Sequence, residues 1–251
     1  MKIAIAGKGG VGKTTICSNL AKLYIKRGYN VYAVDASPDG GLWFTLGISR
    51  AQLETMKPIY DMREFIDDKA GDGALYLLNP DVEGAADRFS LSIHNIKFLR
   101  MSAIKTGGST CYCRESSFLK TVINSLILNE NDVVILDMSA GIEHLTRGTA
   151  QGVGLMLIVI EASGSSIDMA RNIEKLSEQL GVKEVKFLGN KVKNEKEELF
   201  IKTNIPKEKL IGVIHYSEAI SDKAMGLVKY SSELDSPDME TVLGKLAPSC
   251  K

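Results

Sequence analysis

Between Gly7 and Thr15 the chain reads GKGGVGKTT, with glycine at four of nine positions and lysine at two. The stretch satisfies G-x-x-x-x-G-K-[ST], a pattern whose chemistry is the capture of a nucleotide's phosphates. Gly7, Gly9, Gly10 and Gly12 let the backbone turn tightly and point its N–H groups at phosphate oxygens. Lys13 is expected to reach the β- and γ-phosphates, and the Thr14 hydroxyl to coordinate Mg2+. Gly9, Gly10, Val11, Gly12, Lys13, Thr14 and Thr15 together form the expected cradle for ATP or ADP. Lys8 is not required by that geometry, and its side chain is expected to leave the loop away from the cradle.

Three further groups can do chemistry. The run VVILD ends in Asp137, and a carboxylate at the end of a core strand can hold nucleotide-bound magnesium through water. The run VDASPDGG carries Ser37 and Asp39. In CYC, Cys111 and Cys113 sit two apart, so in an extended segment both thiols project to one side and can meet one ion. Two thiolates do not complete a zinc site or a square-planar nickel site. Two chains about a two-fold axis would supply four sulfurs. The residues alone define at most a soft-metal pair, against the reading of two incidental cysteines. Cys17 reads as core and Cys250 as part of the tail. His144 reads as an anchor for the segment after Asp137, and His94 is given no role. Trp43 and Phe44 read as packing.

These residues need a scaffold, and the hydropathy pattern describes one. Near-continuous apolar runs recur at KIAIA, VYAVD, LYLLN, VVILD, LMLIVIE, VKFLGN and LIGVI, which fits strands covered on both faces. Between them lie helical stripes. Ile16, Leu20, Leu23 and Tyr24 share a face before Gly28, and Ile167, Ala170, Ile173, Leu176 and Leu180 share another before Gly181. Alternating strands and helices predict an α/β fold of three layers. Its mainly parallel sheet of about seven or eight strands carries helices on both faces, within one nucleotide-binding domain over 1–251. A polar, Gly-rich loop is expected over about 106–117, before a helix starting near Phe118. The tail is expected to hold one short helix.

Composition narrows the partners. Lys plus Arg and Asp plus Glu each total 31 in 251 residues, so the formal net charge is zero. Neither nucleic acid nor an anionic membrane is expected to bind through bulk charge. No apolar run approaches the ~20 residues that span a bilayer, and no secretory signal pattern opens the chain. Four cysteines in this length do not make a disulfide scaffold, so the expected setting is the cytoplasm.

KGGVGKT resembles the deviant phosphate loop of the dimeric ATPases that include the nitrogenase iron protein, the division-site and partitioning ATPases, and metal-insertion ATPases. That resemblance implies that Lys8 acts in trans on the nucleotide of a partner subunit, within a homodimer bridged by ATP. It implies an adenine contact from Asn190 in LGNKV. The family usually has Asp where this chain has Ser37; serine cannot act as a carboxylate base, and Asp39 is the candidate substitute. Slow ATP hydrolysis is therefore expected. The family often has proline where His215 stands. With GGSTCYCRESSFL and LDMSAGIEHLTRGTA added, the chain resembles the CooC family of carbon monoxide dehydrogenase accessory ATPases. That resemblance implies nickel at Cys111 and Cys113 of the dimer, with zinc fitting the same thiolates. The client it implies is carbon monoxide dehydrogenase. Acetyl-CoA synthase is the alternative client, and a partitioning-type ATPase the alternative class.

Overall fold

The computed structural model describes residues 1–37, 40–56, 89–100, 129–138, 153–228 and 230–246. Six of the expected apolar runs form strands: β1 (Lys2–Ala6), β2 (Asn30–Asp35), β5 (Asp132–Asp137), β6 (Leu155–Ile160), β7 (Glu184–Val192) and β8 (Leu210–His215). LYLLN, the Cys-Tyr-Cys loop and the helix expected near Phe118 lie outside the described residues, as do Asp39, His144 and Cys250.

Two strands were not anticipated: β3 (Leu91–Ile93) and β4 (Ile96–Arg100). Lys97 and Arg100 break the apolar pattern of β4. The turn between the two uses His94 and Asn95 at φ 49° and 63°, a left-handed pair at residues other than glycine. The sheet order is β3-β4-β2-β5-β1-β6-β7-β8. β3 and β4 pair antiparallel, and the other neighbours pair parallel.

Helices cover both faces: α1 (Lys13–Lys26), α2 (Leu42–Thr45), α3 (Arg50–Thr55), α4 (Gly164–Gln179), α5 (Glu195–Asn204), α6 (Glu218–Ala224) and α7 (Pro237–Leu243). Strand alternation divides β1 between two cores. Ile3 and Ile5 pack with Ile16, Leu20 and Leu23 of α1 and with Met239 and Leu243 of α7. Ala4 and Ala6 belong to the opposite core, with Ile167, Ala170 and Ile173 of α4 and Ile201 of α5. Every residue of β1, β5 and β6 is buried, as a doubly covered sheet requires. Truncating one of these aliphatic side chains to Ala costs about 2–5 kcal/mol. Leu176 and Leu180 are only partly buried, because α4 rolls to bury Ser177, whose hydroxyl donates to the Ile173 carbonyl at 2.8 Å.

The tail is strapped to α1. The Tyr24 hydroxyl donates to the Leu246 carbonyl at 2.6 Å, and buried Lys22 pairs with Asp235 at 3.1 Å. The short tail helix is present as α7. Chain order reverses about β1, so the loop leaving its C-terminal end lies at a topological switch point, where open α/β sheets bind ligands.

Candidate nucleotide site

The loop from Gly7 to Gly12 joins β1 to α1, and contacts demand glycine at Gly7 and Gly12. Gly12 sits at φ 99°, and a Cβ there would run into the Asn190 amide. Gly7 passes so close to the Val159 carbonyl that a side chain would overlap it. Lys13 is buried and folds back over the loop, donating to the carbonyls of Gly7 and Lys8 at 3.1 Å each. Burial lowers its pKa, and the nearby Asp137 charge opposes that. The Val11 N–H also points at the Lys8 carbonyl, at 3.5 Å. A backbone amide and an ammonium thus converge on one acceptor position, the arrangement that captures a phosphate oxygen.

Thr14, in the first turn of α1, donates its hydroxyl to Oδ2 of Asp137 at 2.7 Å. Among the described residues the other oxygen, Oδ1, is buried without a hydrogen-bond partner. Leaving such an atom unsatisfied costs about 1–3 kcal/mol, more for a charged group. Burial pushes the Asp137 carboxyl up to about 7; the Thr14 hydrogen bond and Lys13 pull it down, and Asp35 raises it. A hydroxyl oxygen beside a carboxylate with a free buried oxygen is a hard-oxygen donor set, so these residues fit Mg2+.

Asp35 has no counterpart among the residues picked out in the sequence. It ends β2, in register with Asp137 on β5. Its carboxylate accepts from the backbone N–H of Ser37 at 3.2 Å and of Leu42 at 3.3 Å, clasping both ends of the segment that holds Asp39. Burial raises it to about 6, against those two hydrogen bonds. Its signal in the sequence was its place: the last residue of an apolar run, like Asp137.

The Lys8 side chain does leave the loop. Its ammonium donates to the Ser165 hydroxyl at 3.0 Å and lies 3.7 Å from Glu161, both near the start of α4. Asn190, buried near the end of β7, donates from Nδ2 to the Val11 carbonyl at 2.8 Å. His215 turns to the tail: its backbone N–H and Nδ1 both meet Asp238, at 3.0 and 2.8 Å. Trp43 donates to the Gly40 carbonyl at 3.0 Å, while Phe44, expected to pack, is 42% exposed. Phe44 borders a cavity of about 270 Å3 between α2 and α6, with Thr15, Lys223, Tyr230 and Asp235.

Cys111 and Cys113 lie outside the described residues. Among the described residues no group of three or more His, Cys, Asp or Glu is placed to hold a metal ion, and no helix is long and apolar enough to cross a membrane.

Known proteins fit this geometry. Residues 2–226 match the family model of the CobQ/CobB/MinD/ParA nucleotide binding domain. The chain is 40% identical over 229 residues to an ATP-binding protein of Methanocaldococcus jannaschii, covering 88% of this chain and 87% of the relative. It is 35% identical over 224 residues to the carbon monoxide dehydrogenase accessory protein CooC of Rhodospirillum rubrum, covering 88% and 85%. In fold it is similar to the septum site-determining protein MinD of Pyrococcus horikoshii, solved with Mg-ADP. The TM-score is 0.68 with 18% identity, over 98% of this chain and 94% of that one. A phosphate loop at the switch point, a buried aspartate hydrogen-bonded to it and a family match over most of the length agree: the chain is a P-loop ATPase of the CobQ/CobB/MinD/ParA nucleotide-binding family.

Proposed function

We propose that this ATPase is a metallochaperone of the CooC type: an ATP-dependent homodimer that carries nickel as cargo and delivers it to carbon monoxide dehydrogenase. The observation that carries the reading is the 35% identity to Rhodospirillum rubrum CooC over 88% of the chain. The Cys111–Cys113 pair supports it, since two thiolates from each of two chains make a four-sulfur soft-metal site.

The nucleotide half rests on this chain's own residues. Lys13 and the loop amides bind the phosphates. Thr14 and Asp137 hold Mg2+, which screens phosphate charge when bound. Asn190, with its amide donor committed to Val11 and no donor meeting its Oδ1 among the described residues, keeps an acceptor for an adenine amino group. Lys8 is exposed enough to exchange Ser165 and Glu161 for the phosphates of a partner subunit's ATP. Ser37 supplies no carboxylate to activate water, so hydrolysis is slow and the ATP-bound dimer persists as a state. Each protomer's Lys8 thereby couples nucleotide to the meeting of two Cys-Tyr-Cys loops.

The test is reconstitution. Nickel-loaded protein with ATP is added to nickel-free carbon monoxide dehydrogenase, and CO oxidation is followed. Activation that needs both ATP and Cys111 and Cys113 is the expected result. Activation equal to that from free nickel at the same concentration would reject the reading.

A further inference from the structure

Two consecutive side chains of β7 grip two consecutive carbonyls of the phosphate loop. Asn190 Nδ2 donates to the Val11 carbonyl at 2.8 Å, and Lys191 Nζ donates to the Gly10 carbonyl at 2.6 Å. In a regular strand neighbouring side chains point to opposite faces, so one loop could not receive both. The chain breaks that rule here. Lys191 adopts φ 59°, and the β7–β8 register shifts between Gly189 and Val192, the mark of a bulge. A lysine enters the left-handed region only at a free-energy cost, and such strain in an exposed residue calls for a reason.

The reason lies in the peptide plane. A trans peptide sets the carbonyl of one residue and the N–H of the next on opposite sides. Holding the Gly10 carbonyl toward β7 turns the Val11 N–H the other way, toward the position where the Lys13 ammonium also points, at the Lys8 carbonyl. Holding the Val11 carbonyl does the same for the Gly12 N–H. We propose that Lys191 is a positioning residue for phosphate recognition: by fixing the Gly10 carbonyl it aims the Val11 amide into the cradle. It thereby sets affinity for the phosphates of any nucleotide, and not for the base. Asn190 is the buried half of the clasp, 6% exposed, and Lys191 is the exposed half.

Because Lys191 is exposed, its replacement leaves the core intact. Lys191→Met keeps the stem and removes the donor; Lys191→Gly removes the donor and the backbone strain together. Binding of ATP and of inorganic tripolyphosphate is measured for both, at low salt and at about 0.5 M salt, where charges are screened over a few ångströms. Both variants are expected to lose about tenfold toward ATP, and the same factor toward tripolyphosphate, at both salt concentrations. Amide exchange at Val11 is expected to quicken. Unchanged affinity would overturn the proposal. So would a loss toward ATP alone, which would put Lys191 on the nucleoside. A loss that vanishes at high salt would do the same, by reducing the lysine to a distant attracting charge.

Discussion

Thr14 and Asp137 stand 123 residues apart in the chain and meet through a hydrogen bond of 2.7 Å, which leaves the second carboxylate oxygen of Asp137 buried and, among the described residues, unpartnered. The magnesium site proposed for this pair is a product of the sheet: β1 delivers Thr14 through the loop, and β5, hydrogen-bonded beside β1, delivers Asp137.

Asp137→Asn keeps the shape of this site and removes its charge. Magnesium is then expected to add little to ATP affinity, and turnover to fall about a hundredfold or more. Titrations with and without the metal, alongside phosphate release, check this. A variant whose ATP binding still tightened on adding magnesium would place the ion elsewhere.

The two strand-end carboxylates give the protein free of nucleotide and metal a pH signature. Burial holds Asp137 at about 7 and Asp35 at about 6, above the range of an unfolded chain. At low pH both states are protonated and nothing is lost. As pH rises from about 4 toward 7 the unfolded chain ionises first, the folded protein binds more protons, and stability falls. Relative to wild type, Asp137→Asn is therefore expected to gain thermal stability with rising pH up to about 8, and to gain none near pH 4. Thermal denaturation across that range decides, and a difference that shrank with rising pH would contradict the assignment.

Gly12→Ala combines a left-handed backbone with a Cβ that meets the Asn190 amide. We expect a loss of about 1–3 kcal/mol in stability and of nucleotide binding altogether, because the clasp on Val11 must open. Calorimetric binding and a melting curve on the same sample separate the two effects. Retained nucleotide affinity would show that the clasp is dispensable.

Lys8 is held in its own chain by Ser165 and Glu161, at 3.0 and 3.7 Å. If it acts on a partner's nucleotide, those contacts compete with dimerisation. Lys8→Ala is expected to stay monomeric with ATP. Glu161→Gln is expected to dimerise a few-fold more readily, the scale of an exposed ion pair. Sedimentation at matched ATP concentrations reads both. Dimerisation of Lys8→Ala equal to wild type would remove the lysine from the coupling.

Much of this was legible in the residues themselves. A phosphate loop and a doubly covered strand are local patterns, so GKGGVGKTT, VVILD and the stripe of α1 pointed to their places. What escaped was set by register and backbone conformation. Asp35 matters because β2 pairs with β5 and puts it beside Asp137, a neighbour 102 positions away along the chain. Strand β4 hid because Lys97 and Arg100 interrupt its apolar run. Lys191 reaches the loop only through a bulge at φ 59°, which no spacing in LGNKV announces. The resemblance assigned Asn190 to adenine; its donor is committed to the Val11 carbonyl, which makes it part of the loop's frame as well.

On the proposed function, ATP assembles a metal site from two Cys-Tyr-Cys loops through a dimer. Molecular mass and bound nickel, measured on one sample with and without ATP, decide it for wild type and for the double variant Cys111→Ser, Cys113→Ser. Wild type is expected to be a dimer with ATP holding one nickel ion per two chains, and the double variant to bind ATP without the metal. A wild-type protein that stays monomeric with ATP and binds no nickel, or a double variant that binds nickel as wild type does, would contradict it.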